Sequence, residues 1–214
     1  REWAAALLFA GGNLELLKSD RLVCFAGSRE SEPELLELTS RLAAEAVEIG
    51  CPVVSGYARG VDTAAHRGAL ISGGSTIITL AYGIFQFRVR KELKDILDWE
   101  RSLVISRFHP NGVWKNSFGV IRNLLMVGFS RAVVIVRAES DSGTMHTGRA
   151  ALKAGIPALV LDSSYSPSGN MELISAGAIP FRHLKDFRQK LESALEKDKP
   201  AAHKPAELQR KLDI

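Results

Sequence analysis

Short, unbroken apolar runs alternate with longer helical patterns along most of this chain, and that alternation limits the possible folds more than any other feature. The runs are 22–26 (LVCFA), 52–55 (PVVS), 76–80 (TIITL), 103–106, 132–136 (AVVIV) and 158–161. A strand that is apolar at successive positions has no face for water, so it belongs in a sheet covered on both sides. Between the runs the apolar residues recur at helical spacing. Leu35, Leu38, Leu42, Ala46 and Ile49 follow Pro33 and stop at Gly50, which predicts an amphipathic helix. Further helices are predicted over 61–72, 91–101 and 144–154, with 158–161 as the last strand.

Strands separated by helices call for right-handed crossovers and a parallel sheet. The predicted fold is therefore α/β: a Rossmann-like, doubly wound, mainly parallel sheet with helices on both faces. The expected organisation is a leading helix over 1–20, the sheet domain over 21–182, and a helix with a charged tail over 183–214. Hydrophobic residues make up 46% and charged residues 24%, enough for a real core and incompatible with a disordered or collagen-like chain. No apolar stretch is long enough to cross a membrane as a helix, and the run at 7–9 is too short for a signal peptide. Cys24 and Cys51 each lie in an apolar run that reads as a strand, which suggests buried thiols in a reducing compartment rather than a disulfide or a metal site, and so a cytoplasmic protein. The net charge of +4 permits a phosphate-bearing partner without requiring one.

Doubly wound sheets bind ligands beyond the carboxyl ends of their strands. Three such ends carry small, hydroxylated, glycine-containing loops. The first is Gly27-Ser28-Arg29. The second runs from Ser55 and Gly56 through Arg59 and Gly60 to Asp62. The third is Ser142-Gly143-Thr144. Glycine lets backbone N–H groups approach an anion, and arginine adds a forked cation. The three loops together point to a phosphate-binding crevice, against the plainer reading of ordinary turns. Neither G-x-G-x-x-G nor G-x-x-x-x-G-K-[ST] occurs at a strand-to-helix junction, so no dinucleotide or other cofactor is expected. Asp62 and His66 are one helical turn apart. They suit a pair that fixes the loop better than an acid/base pair, and a surface position for His66 also fits. His109, His146 and His183 show no metal-ligand spacing, and no metal is expected.

The stretch SGYARGVDTAAHRGAL at 55–70, followed by GGSTIITLAYG at 73–83, strongly resembles the central motif of the DNA-processing protein A (DprA/Smf) family. GSR at 27–29, IRN at 121–123, SGT at 142–144 and GNMELISAGA at 169–178 follow the family's order, so the resemblance spans roughly 20–180. It implies a protein without catalytic activity that holds single-stranded DNA in a basic pocket at the sheet's carboxyl edge. It also implies a role in DNA processing and natural transformation, with loading of a RecA-type recombinase, and a homodimer. Arg29 corresponds to the family's phosphate-contacting arginine, and Arg122 and Asn123 match part of an RRN-type motif beside that pocket. The sequence departs from the family after Tyr82-Gly83. IFQFRVRKELKDI is more basic there and lacks the usual Tyr-Pro pair, while Ile121 and Leu124 leave Arg122 alone in its motif. Tyr57, Tyr82, Phe85, Phe87 and Trp114 are available to stack on bases, although core positions are the commoner fate of such residues. The alternative is a nucleotide-binding sensor or a phosphoribohydrolase-like enzyme of the same superfamily. DSGTMHTGRAA lacks the double glycine and the following glutamate of that enzyme pattern, so a non-enzyme is expected.

Overall fold

The computed structural model of the chain describes residues 7–163 and 166–196. The strands are β1 (Phe9–Gly12), β2 (Val23–Ala26), β3 (Val53–Ser55), β4 (Thr76–Thr79), β5 (Ser102–Ser106), β6 (Ala132–Ile135), β7 (Ala158–Leu161) and β8 (Ile179–Phe181). The helices are α1 (Pro33–Glu48), α2 (Val61–Ile71), α3 (Asn116–Phe129), α4 (Gly143–Lys153), α5 (Ser168–Ser175) and α6 (Leu184–Glu196). The strands form one sheet in the order β1-β5-β4-β3-β2-β6-β7-β8. Every pairing is parallel except that of β1 with β5. From β2 the chain winds outward to β3, β4 and β5, then returns to lay β6 against the other side of β2. The strand order reverses at that point, where such sheets open a crevice.

Alternation along the strands explains the two helical layers. Val23 and Phe25 face one side with Val53, Val134 and Leu159, where α1, α2 and α6 supply Leu42, Ala65, Phe187 and Leu191. Cys24 faces the other side with Ile77, Val133 and Val160, where α3, α4 and α5 supply Met126, Met145, Ala151 and Leu173. Both cysteines are free and buried, and burial pushes both thiols up, away from reactivity.

Four sequence expectations change. The leading helix over 1–20 is instead β1, a 3-10 turn (Leu14–Lys18) capped by Asn13, and residues 1–6 that lie outside those described. Gly11-Gly12 is a poor helix interior, and pairing with β5 satisfies its backbone instead. The helix expected over 91–101 is a short 3-10 turn (Lys91–Leu93) followed by loop. Its apolar residues meet the sheet at one point, around buried Leu93, and the Asp98 carboxylate accepts from the Glu100 N–H. β7 is not the last strand: β8 adds beyond it, and its Pro180 suits a strand that pairs on one side only. Cys51 lies in the turn before β3, not within a strand. The α6 helix lies within the helix and tail expected over 183–214, and the charged tail beyond it lies outside the described residues.

Candidate functional site

Because β2, β3 and β6 are adjacent and parallel, the three glycine loops leave the sheet at one edge. The first two loops are locked together. Gly60 adopts φ +79°, and a side chain there would overlap the Ser28 and Arg29 carbonyl oxygens. The Val61 N–H donates to Ser28 O at 3.2 Å, so the start of α2 is pinned to the loop after β2. Ser28 spends its hydroxyl inside its own loop, donating to Glu30 O and accepting from the Glu30 N–H. Gly27 packs against Val61. These contacts leave Arg29 exposed at the edge.

Behind the loops lies a buried polar cluster. The Arg122 guanidinium occupies the space that a side chain on residue 56 would need, so only glycine fits at Gly56. Arg122 is 7% exposed and Asp62 5%. Arg122 Nη1 donates to Asp62 Oδ2 at 3.2 Å, and the same oxygen accepts the Ala58 N–H at 3.3 Å. Asp62 therefore holds both the loop and the arginine. Arg122 Nε is buried and has no hydrogen-bond partner among the described residues. His66 is fully buried, not on the surface, and contacts the Gly56 carbonyl through Nε2 and the Thr76 hydroxyl through Nδ1 at 2.7 Å. Burial pulls its pKa down to about 4, so the ring is neutral near pH 7. A carbonyl can only accept, so Nε2 carries the proton. No direct hydrogen bond links His66 to Asp62.

In front of this cluster is a hollow of about 360 Å³ at the ends of β2, β3 and β4. Arg29, Arg59, Arg90 and Arg122 line it. Glu30 is the carboxylate on its wall, and Asp62 sits behind Arg122. The balance favours an anion. Tyr57, Tyr82 and Trp114 border the same space. Of the other aromatic candidates, Phe87 packs against Tyr57 and Trp99, with ring centres 5.0 and 6.2 Å away. Phe85 is exposed and does not line the hollow.

Several expected contacts stand elsewhere. Ser55 is fully buried and donates to Phe25 O at 2.7 Å, because its place in β3 turns it into the sheet. Ser142, Gly143 and Thr144 do not line the hollow. Ser142 caps α4 by accepting the Met145 N–H, and the Gly143 carbonyl accepts from Asn123 Nδ2 at 3.1 Å. Asn123 thus ties α3 to the third loop, one residue after Arg122. Arg90 was not anticipated. Its only trace in the sequence is the extra basicity after Gly83. Among the described residues, no group of three or more His, Cys, Asp or Glu is placed to hold a metal, and no helix is long and apolar enough to cross a membrane.

Comparison with known proteins gives these features a family. Its DNA processing protein DprA relative from Streptococcus pneumoniae is 33% identical over 182 residues, covering 82% of this chain and 63% of that protein. The Bacillus subtilis DNA processing protein DprA is 27% identical over 191 residues, covering 87% and 64%. The chain thus spans a little under two thirds of the length of these curated relatives. Among solved structures, DNA processing protein A of Streptococcus pneumoniae superposes with a TM-score of 0.76 at 31% identity, covering 86% of this chain and 65% of that one. DNA processing protein A of Helicobacter pylori, whose structure addresses its single-stranded DNA binding mode, superposes at 0.77 with 27% identity and covers 88% of both chains. A molybdenum cofactor carrier protein from Chlamydomonas reinhardtii shares the fold at 20% identity and a TM-score of 0.60. The family model for DNA recombination-mediator protein A matches residues 2–192, and the chain belongs to that family.

Proposed function

We propose that this chain binds single-stranded DNA by its phosphates, in the arginine-lined hollow at the carboxyl edge of the sheet. The observation that carries the reading is the state of Arg122. A buried guanidinium with one edge on Asp62 and a free Nε is costly unless an acceptor completes it. Arg29 and Arg59 add exposed cations in front, and the bordering aromatic rings offer faces for bases. The single-stranded DNA binding of the Helicobacter pylori relative supports the same ligand. In this reading the protein acts in DNA processing in the cytoplasm, as a homodimer that hands its strand to a RecA-type recombinase, and it performs no chemistry on the strand.

Fluorescence anisotropy with a labelled oligo-dT strand tests this. Affinity should fall steeply as salt rises, because each neutralised phosphate releases counterions. Arg29→Ala should weaken binding about tenfold at fixed salt while leaving the melting temperature within a few degrees. Unchanged affinity would remove Arg29 from the site.

The size of the hollow also suits a single nucleotide, which favours a sensor or a phosphoribohydrolase-like enzyme as the second reading. Cleavage of a glycosidic bond needs a free carboxylate beside the sugar. Glu139, next to the third loop, is paired with Arg137, which leaves Glu30 on the wall of the hollow as the carboxylate to test. Free base released from nucleoside monophosphates would establish the enzyme reading over the binding one.

A further inference from the structure

Among the described residues His66 is the only buried histidine; His109, His146 and His183 are exposed. The Gly56 carbonyl keeps a proton on its Nε2 in either charge state. Nδ1 lies 2.7 Å from the Thr76 hydroxyl, and that hydroxyl lies 3.0 Å from the Val53 carbonyl. A hydroxyl has one proton, and a carbonyl can only accept. With the ring neutral, the hydroxyl proton serves either Nδ1 or Val53 O, and the other goes without it. With a second proton on the ring, Nδ1–H donates to the hydroxyl, and the hydroxyl donates to Val53 O. A relay from Gly56 through His66 and Thr76 to Val53 is then complete. All four residues are buried, so the shortfall in the neutral state stays inside the fold.

The relay is ready for that proton, and its surroundings hold the proton off. Burial opposes it most, and Arg122 on α3 and Arg90 after β4 oppose it too; the bond to Gly56 and the Asp62 carboxylate on its own helix favour it, and the pKa settles at about 4. Arg67, the next residue on α2, is exposed and reaches Glu37. Burial keeps protons on the Tyr57 hydroxyl, whose ring centre is 6.4 Å away, and on the Cys24 thiol of β2. From β3 and β4 the ring meets only the neutral Val53–Thr76 pair. Arg122 and Arg90 both line the hollow, so an anion bound there offsets the charges that keep the second proton off. We infer that His66 and Thr76 couple the hollow to pH: a ligand phosphate and a proton on Nδ1 bind cooperatively, and the strand is held more firmly in acid. The coupling is reciprocal, so the ligand raises the proton affinity of the ring by the same factor. The inference rests on the reading above, in which the ligand is single-stranded DNA.

NMR of the histidine rings in the full chain tests this without a variant. The His66 ring is titrated from pH 7.5 down to 4, alone and with saturating oligo-dT. Its proton affinity should rise about tenfold in the complex. The exposed histidines also gain charge in acid, and resolving each ring keeps their contribution apart from that of His66. Thr76→Val keeps the shape of a residue that does not line the hollow and removes the relay hydroxyl. Its oligo-dT affinity at pH 7.5 should stay within about twofold of the parent. Nδ1–H then has no acceptor, so the His66 ring should stay neutral to pH 4 with or without oligo-dT. A His66 titration that oligo-dT leaves in place, or a Thr76→Val ring that takes up its proton as the parent does, overturns the inference and leaves the DNA-binding reading standing. Absence of oligo-dT binding by the parent chain at every pH overturns both.

Discussion

The carboxyl edge of the sheet has two sides, built from similar residues but hydrogen-bonded differently. On the β6–β7 side, the polar groups satisfy one another. Ser142 caps α4, and Asn123 reaches the Gly143 carbonyl. Buried Asn170 accepts the Ala138 N–H and donates to Val136 O and Leu161 O. Arg137 is neutralised by Glu32 and Glu139. On the β2–β4 side, four arginines face a hollow, and two of them keep buried Nε atoms without partners. Glycine and hydroxyl residues occur on both sides. What separates the sides is whether donors remain after the fold has satisfied itself. In the proposed reading, loop composition alone is a poor guide to an anion site, and leftover donors are a better one.

Three changes sharpen that contrast. Arg122→Ala has the largest expected effect. It removes the cation at the floor and leaves Asp62 buried with only a backbone partner, so about 3–5 kcal/mol of stability should be lost in urea denaturation, together with DNA binding. Protonation of His66 comes next. Its pKa is about 4 in the fold and near 6.5 when unfolded, so the unfolded chain takes up the proton first as pH falls. The stabilising contribution is complete above pH 6.5 and is lost as pH falls toward 4. About 2 kcal/mol of stability should disappear between pH 7 and pH 5, and His66→Gln should abolish that component. Smallest is Ser142→Ala on the self-satisfied side. Loss of the cap should cost about 1 kcal/mol and leave oligo-dT affinity within twofold. A large loss of affinity there would break the distinction between the two sides.

The fold was legible where both faces of a strand are apolar, as in β2, β4 and β6. It was less legible where context decides. β1 is short and contains two glycines, and it pairs only because β5 offers an edge. The β8 strand carries a proline, and the stretches at 121–123 and 169–178 stand out as motifs rather than as the helices α3 and α5 that carry them. In the candidate site, Arg29, Arg59 and Arg122 on the hollow, and Asp62 and His66 behind it, stand out in the sequence because they sit at strand ends or in recognisable motifs. That Asp62 and Arg122, sixty positions apart, meet at 3.2 Å depends on α3 crossing behind the loops, which no local pattern encodes. Ser55 was misplaced because a one-residue step along a strand turns a side chain from ligand to sheet. Arg90 escaped notice because its place is set by contact with Tyr57 rather than by spacing.

A crystal structure of the chain with a bound oligo-dT strand tests the central claim most directly. The account predicts a backbone phosphate within hydrogen-bond reach of Arg122 Nε, inside the hollow. A strand that runs instead along the Ser142–Thr144 loop, with Arg122 Nε still without an acceptor, would contradict it.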